Sequence, residues 1–257
     1  GLEIINDSVF ANCASLKAIT IPDSVTYIGS GIVEHCIGLE SFTVGENCMA
    51  YIPASTFYEC TGLKTVVLNN ATTDIGNQMF KGCMLLESVT LGNNVTRIGD
   101  AAFHGCSSLV SIDLPDTLTE IAGSAFLNCT SLESIIIGEN VKSIGHDAFS
   151  YCTSLKEIVI PDSVTRIGNS AFSNCTSLTS VTIPDSVTTI GSYAFYNCYK
   201  LVEVINRSSL NIVADYSDYG YVAYYAKEVH GGESKIVNYN DYLFYTYNGV
   251  NYLMGYV

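Results

Sequence analysis

The sequence is poor in cations, in proline and in the largest aromatic side chain. Its 257 residues include 11 lysines and arginines against 25 aspartates and glutamates, with five prolines, no tryptophan and a formal net charge of −14. Nucleic-acid binding needs clustered lysine and arginine to neutralise phosphates, so neither nucleic acid nor an anionic membrane surface is an expected partner. No apolar run reaches the roughly 18 residues that predict a membrane-spanning helix, so we expect no membrane insertion.

The sequence also lacks the motifs of enzymes and of metal centres. It contains no phosphate-binding loop and no G-x-S-x-G sequence. Its cysteines never form the closely spaced pairs that are typical of zinc sites. The four histidines lie far apart along the chain and are not expected to converge: His35, His104, His146 and His230. We therefore predict a protein without catalytic residues, cofactor or bound metal.

What the sequence does contain is one short unit repeated along most of its length. Leucine follows three residues after each repeated cysteine, and phenylalanine precedes most of them by three residues. A leucine-rich period of about 20–29 residues predicts a leucine-rich repeat solenoid, whose stacked units share one core. The cysteines recur at steps of 23 residues, with one step of 24: Cys13, Cys36, Cys60, Cys83, Cys106, Cys129, Cys152, Cys175 and Cys198.

The repeat predicts the path of each turn. Leu178, Val181 and Ile183 fit a short strand with its apolar residues inward, and Pro184-Asp185 favours a turn after it. The segment that follows Gly191 is predicted as a short helical or 3₁₀ piece. We therefore expect a right-handed superhelix of about eight to nine turns, with short parallel strands, over residues 1–205 and on the order of 40 Å long.

The cysteines are predicted to be reduced and to face inward, one per turn. Free cysteine behaves as a small buried apolar residue, and Cys48, which lies outside the series, fits the same description. Cysteines of neighbouring turns would lie about 5 Å apart, which is within disulfide range. Their side chains should point in the same direction, which favours free thiols over disulfides.

The last 52 residues differ from the repeats in composition. They contain no cysteine and 11 of the 18 tyrosines. Asn248-Gly249 predicts a hairpin turn within the segment YLFYTYNGVNYLMGYV, and a further strand or hairpin pair is predicted around Gly231-Gly232. We assign residues 206–257 to a tyrosine-rich, β-rich cap on the last turn, or to a segment between two arrays.

The repeat sequence resembles the BspA-like, or Treponema-type, leucine-rich repeat family. The resemblance rests on the motif C-x-x-L-x-x-I-x-I-P-x-x-V-x-x-I-G-x-x-A-F-x-x-C and covers residues 1–205. It implies a surface or secreted protein, most often bacterial, that attaches to host-matrix proteins or to other cells. Because the chain begins within a repeat, we expect either a fragment of a longer protein, without signal peptide and anchor, or a mature segment whose leader has been removed.

The outward strand positions are the candidate binding surface. They are filled mainly with serine and threonine, which also suits a plain solvated sheet face. Four residues interrupt that uniformity, and together with Glu133 of the flanking row they are the predicted ligand-binding residues: Asp113, Ile136, Glu157 and Val159.

Two further features of the sequence are weaker candidates for binding. A row of acidic or amide side chains at one corner, which includes Asp116, fits either turn chemistry or calcium. An aromatic cluster in the tail fits either a sugar- or protein-binding platform or a buried cap: Tyr216, Tyr219, Tyr221, Tyr224 and Tyr225.

Taken with the resemblance, these features predict a non-enzymatic module of a bacterial surface or secreted adhesin. Its expected partner is a host extracellular-matrix or surface protein or a glycan, and the module is expected to be monomeric. Many shallow contacts along a repeated surface would act together. The alternative is a rigid spacer that holds another domain away from the cell.

Overall fold

A computed structural model gives the structure of the chain and describes residues 1–210, 212, 220–226, 228–230, 238–239, 242–247 and 250–256. Within these residues the backbone winds through about nine turns of about 23 residues, which stack through parallel pairing of short strands. The predicted leucine-rich repeat solenoid is confirmed. The described residues contain no helix, and hence none long and apolar enough to cross a membrane.

The strands are short and follow one another at regular intervals. In chain order they are β1 (Ile4–Ile5), β2 (Ala18–Ile21), β3 (Tyr27–Ile28), β4 (Ser41–Val44), β5 (Thr65–Val67), β6 (Asp74–Ile75), β7 (Ser88–Thr90), β8 (Arg97–Ile98), β9 (Glu120–Ile121), β10 (Ser143–Ile144), β11 (Glu157–Val159), β12 (Arg166–Ile167), β13 (Ser180–Ile183), β14 (Thr189–Ile190), β15 (Glu203–Asn206), β16 (Glu228–His230), β17 (Asn238–Tyr239), β18 (Tyr242–Tyr247) and β19 (Val250–Tyr256).

The strands of the repeats lie on two sides of the solenoid. One side carries β2, β4, β5 and β7 and then, after an interruption, β11, β13, β15 and β16. The other side carries an uninterrupted sheet of β6, β8, β9, β10, β12 and β14. Pairing is parallel, and partners lie one turn apart, as for Glu157 with Ser180 and Arg166 with Thr189. We call the outward surface of the first side the strand face.

Each turn follows the path that the repeat predicts for its strand. In β13, Val181 and Ile183 are buried, whereas Ser180 and Thr182 alternate with them on the outer surface. The chain then turns at Pro184, whose carbonyl oxygen accepts a hydrogen bond from the Val187 N–H (3.1 Å). The alternation arises because successive side chains of a strand point to opposite faces.

The predicted helical or 3₁₀ segments are wrong. Their place is taken by consecutive turns in which two residues of each unit, such as Ser170 and Asn174, adopt positive φ values of 53° and 61°. A left-handed residue interrupts a right-handed helix. The backbone instead bonds to the next unit, as from Phe172 N–H to the Ala194 carbonyl oxygen (2.7 Å).

The core is built around a stack of phenylalanine rings. From Phe57 to Phe195 neighbouring rings are nearly parallel, and their centroids are 4.9–5.3 Å apart. In the unit where Val33 replaces phenylalanine, Phe42 of β4 packs edge-on against Phe57 at 4.7 Å. All these rings are buried, so one apolar core runs through the array.

The cysteines are free, and nine of the ten are buried. In most turns the thiol donates to the phenylalanine carbonyl oxygen of the preceding turn, as from Cys106 Sγ to Phe80 O (3.2 Å). Cys48 is buried as predicted, with its Sγ 3.3 Å from Val25 O. The prediction is wrong for Cys13, which is exposed because the described array has no turn before it.

The stack continues beyond the last regular repeat. Strand β16 pairs parallel to β15, and Phe195 N–H donates to the Gly220 carbonyl oxygen (2.6 Å). Strands β17, β18 and β19 form an antiparallel sheet, which agrees with the predicted hairpin strands. The turn residues Asn248-Gly249 and the pair Gly231-Gly232 lie outside the described residues, and the domain boundary at residue 205 stays a prediction.

Candidate binding surface

Two of the predicted binding residues form an exposed apolar pair on the strand face. The side chains of Ile136 and Val159 occupy neighbouring turns, joined by an isolated parallel bridge. They are 80% and 68% exposed, respectively. Val110, at the flanking position of the turn before Ile136, is 49% exposed. Exposed apolar residues that cluster, unlike scattered ones, are typical of interaction sites.

The three predicted acidic residues lie on the same turns. Asp113, Glu133 and Glu157 are all exposed, and Glu157 lies in β11 two residues before Val159. We call the surface formed by these residues and the apolar ones the central patch: Val110, Asp113, Glu133, Ile136, Glu157 and Val159.

Along the edge of the strand face, several acidic residues are paired with lysines, including Glu133 of the central patch. Glu40 lies between Lys17 and Lys64, with oxygen–nitrogen distances of 3.2 and 2.9 Å. The hydrogen bond from Lys64, then that from Lys17, lowers the pKa of Glu40 below its usual value. Glu133 pairs with Lys156 at 2.6 Å. Val110 occupies the corresponding position in its turn, so the row of charges is interrupted at the central patch.

The backbone ladder of the strand face is broken at the same place. Strand β7 ends one sheet and β11 begins the next, and residues 111–113 form no strand. In this described part of the chain, residues 110–114 make no backbone hydrogen bond to residues 87–91 of the preceding turn. Asp113 occupies the place of a β-favouring threonine, and aspartate is depleted from strands. The opposite sheet continues without interruption through the same turns.

A cleft of about 650 Å³ opens where the ladder is broken. Thr90 and Asn93 line it from one turn, and Asp113, Pro115 and Asp116 line it from the next. Among the described residues, no cation lies within ion-pair distance of either aspartate.

The two turns remain joined at the corner beside the cleft. The Thr117 hydroxyl lies 2.8 Å from the Asn93 carbonyl oxygen and 2.7 Å from that of Val95. The cleft is therefore a local opening between stacked turns.

The sequence did not single out all of these residues. Asp113 was predicted as a site residue, but Val110 was not, although it is the one apolar residue between charged ones in its row. Asp116 was placed only in the acidic corner row. Asp113 in place of threonine was the one sequence sign of the missing strand pairs, whereas the cleft itself depends on how two turns fit together.

A second, smaller cavity lies on the loop side of the solenoid. It has a volume of about 340 Å³ and is lined by Lys81, Gly82, His104 and Gly105, among others. The glycines adopt φ values of 78° and 79° at a position where Asn128 carries a side chain. Burial, followed by the nearby charge of Lys81, lowers the pKa of His104. No predicted site residue lies there.

The described tyrosines of the predicted aromatic cluster lie at the end of the array. Tyr221 stacks on Tyr193 with centroids 5.5 Å apart, and Tyr224 contacts Tyr225 edge-on at 4.7 Å. These rings continue the stacking of turns, which fits a cap as well as a platform. Tyr216 and Tyr219, also predicted for this cluster, lie outside the described residues.

The part of the chain that the structure describes holds no candidate metal centre. Within it, no three histidine, cysteine, aspartate or glutamate side chains come together in a way that could bind a metal ion. His35 contacts Glu59 at 3.3 Å and Glu34 at 3.7 Å, whereas His104 lies in the loop-side cavity.

Comparison with known sequences identifies the repeat. A sequence model described as "BspA type Leucine rich repeat region" matches residues 1–110 and 97–221, with six copies. The chain belongs to this family. The BspA-type repeats therefore cover most of the residues that form the stacked turns. No curated protein matches the chain.

Solved structures of bacterial leucine-rich repeat proteins resemble this one. A Bacteroides ovatus leucine-rich repeat protein is 31% identical, with a TM-score of 0.62 over 80% of this chain and 59% of its own. The chain thus spans less than two thirds of that relative. A Eubacterium ventriosum leucine-rich repeat protein is 21% identical, with a TM-score of 0.53 over 97% of this chain and 73% of its own. The pneumococcal vaccine antigen PcpA is 19% identical, with a TM-score of 0.51 over 82% of this chain and 61% of its own.

Proposed function

We propose that this BspA-type array is a non-enzymatic binding module of a bacterial surface or secreted adhesin. It attaches to a host-matrix or cell-surface protein, or to a glycan, through the strand face. The observation that carries the proposal is the exposed apolar pair Ile136 and Val159, which stands among polar positions on that face. Solenoids of this class are typically non-catalytic, and the family supports an extracellular location.

The binding surface follows from the repeat itself. Each turn places its strand residues beside those of the next turn, about 5 Å away, so contacts on several turns can be made at once. Weak contacts that act together give useful affinity when their geometry allows simultaneous engagement. A monomer suffices, because one array already presents about nine copies of the strand position.

The test is binding of residues 1–257 to immobilised fibrinogen, fibronectin, collagen and mucin glycans. We expect saturable binding that weakens about tenfold in a variant carrying both Ile136→Ser and Val159→Ser, because the variant loses apolar contact with the ligand. A tenfold change corresponds to about 1.4 kcal/mol of binding free energy. The matched control is Val67→Ser, which removes an exposed valine from the same row outside the central patch. Equal loss in the control would count against a site at the central patch.

The spacer alternative has its own support in the uninterrupted phenylalanine stack, which suits a stiff rod. It predicts that the array binds none of the matrix ligands. It also predicts that the Ile136→Ser and Val159→Ser variant supports attachment of the full-length protein as well as the natural sequence does.

A further inference from the structure

The central patch combines two features that a plain solvated face does not need. Its apolar side chains Ile136, Val159 and Val110 remain exposed. A partner that covered them would gain roughly 25 cal/mol for each Å² of apolar surface removed from water. In the same row four other turns carry threonine and two carry a less exposed apolar residue: Thr20, Thr43, Thr90 and Thr182, then Val67 and Ile205. A partner is thus expected to present apolar side chains of its own here.

The cleft beside the patch supplies the charge. Asp113 and Asp116 line it without an ion-pair partner among the described residues, and no lysine, arginine or histidine lines it with them. By contrast, Glu133 of the patch and Glu40 at the same position four turns away are each paired with lysine. The cleft therefore offers two uncompensated carboxylates to a cation that enters from outside.

Neutral polar groups at the cleft favour one kind of cation. Thr90 and Asn93, whose side chains can form hydrogen bonds, line the cleft together with the two aspartates. A guanidinium group carries five donors in a planar fork and binds carboxylates in pairs of hydrogen bonds. It also loses less hydration than an ammonium group when it enters a protein site.

We propose that the central patch and the cleft bind an extended polypeptide segment of a partner protein. An arginine side chain enters the cleft between Asp113 and Asp116, and neighbouring apolar side chains cover Ile136 and Val159. The inference rests on the proposed function and specifies its ligand.

Dimensions are consistent with this arrangement. Asp113, Ile136 and Val159 hold the same position in three successive turns, and the turns stack at about 5 Å. An extended segment advances about 3.3 Å per residue. About four residues would therefore cover the distance from the cleft to Val159, with the arginine at one end and apolar residues towards the other.

The test begins with random peptides displayed on phage and selected on the intact chain of 257 residues. The best enriched peptide is synthesised with a fluorophore, together with a version in which citrulline replaces arginine. Citrulline keeps the shape of the side chain and removes its charge. We expect enrichment of peptides that carry arginine near apolar residues, and binding at least about tenfold weaker for citrulline by fluorescence anisotropy.

Binding to variants of the protein then shows which residues the peptide contacts. In a variant carrying Asp113→Asn and Asp116→Asn, the arginine and citrulline peptides should bind equally weakly. Ile136→Ser should weaken both peptides by a similar factor. The matched control carries Asp162→Asn and Asp185→Asn, which change the corner position of two turns whose strands β11 and β13 remain paired. Thermal unfolding of each variant confirms that it is folded.

Several outcomes would overturn the inference. They are an absence of enriched peptides, enriched peptides without arginine, and equal loss of binding in the control variant. If mucin glycans bind through Ile136 while no peptide is enriched, the ligand is a glycan, and the proposed function survives without this inference. If peptides bind as expected but Ile136→Ser and Val159→Ser leave binding to the matrix ligands unchanged, the adhesin proposal fails instead.

Discussion

Cysteine recurs in this array because the gap between stacked turns accepts a small side chain whose thiol can reach a carbonyl oxygen. Cys152 Sγ lies 3.2 Å from Phe126 O, and Cys106 Sγ has the same contact with Phe80 O. Burial is the main cause that raises the pKa of Cys60 and Cys198 to about 12. Since the thiolate is the reactive form, these cysteines should react slowly for two reasons. They are buried away from reagents, and their thiols stay protonated at neutral pH.

Thiol labelling tests this account. We expect Ellman's reagent to modify one thiol quickly in the native protein at mildly alkaline pH, because only Cys13 is exposed. The other thiols should react after unfolding in guanidinium chloride. Cys13→Ser should remove the fast reaction and leave the slow one unchanged. Fast reaction of several thiols, or fewer free thiols than ten after unfolding, would contradict the reduced, buried series.

At the scale of the element, the side-chain alternation of the strands could be predicted from the sequence, whereas the backbone conformation of the loop side could not. The alternation in β13 follows from Val181 and Ile183, which the repeat places two residues apart. The helical prediction failed because Ser170 and Asn174 adopt left-handed backbone conformations, and because their unit bonds to its neighbours. Such bonds belong to two turns at once, so a single repeat read alone does not reveal them.

The same limit applies to the candidate site. Asp113 and Ile136 could be predicted because they differ in chemistry from their row. The cleft at Asp116 could not be predicted, because it exists only where strand β7 and residues 111–113 fail to pair. The boundary at residue 205 stays a prediction, and strand β16, which lies beyond it, pairs in parallel with β15.

Close approach of turns makes some glycines irreplaceable. A Cβ atom at position 168 would lie 2.5 Å from the Gly145 carbonyl carbon, whereas one at position 138 would meet nothing nearer than 3.8 Å. We expect Gly168→Ala to lower the free energy of unfolding by about 1–3 kcal/mol through overpacking. Gly138→Ala should change it by less than about 1 kcal/mol. Urea unfolding followed by circular dichroism measures both, and similar values for the two variants would contradict the close stacking.

At the scale of the whole molecule, stability is shared between neighbours. Each turn of a solenoid contacts chiefly the turns on either side, so the array behaves as a row of units with interface terms between them. The phenylalanine stack from Phe57 to Phe195 and the uninterrupted sheet from β6 to β14 join the units of the middle and later turns, whereas β1 and β3 of the first turns form a separate sheet. The strand face joins them less well at the start of the central patch, where residues 111–113 form no strand.

A break in the middle of the stack should therefore divide the molecule. Phe126→Ala removes a fully buried ring between Phe103 and Phe149. We expect it to cost about 3–5 kcal/mol and to replace one cooperative unfolding transition by two. The same substitution at Phe57, near the first turn, should leave most of the array unfolding together. Hydrogen exchange would locate the divided halves, and a single transition in the Phe126 variant would speak against nearest-neighbour coupling.

The exposure of Cys13 gives the molecule a natural point of attachment. A single reactive thiol on the first turn lets the unmodified chain be coupled to a bead, a surface or a dye in one orientation. Because the turns advance about 5 Å each, the central patch then lies four to six turns from the coupling point. The chain of 257 residues can thus be pulled, immobilised or tracked without an engineered cysteine.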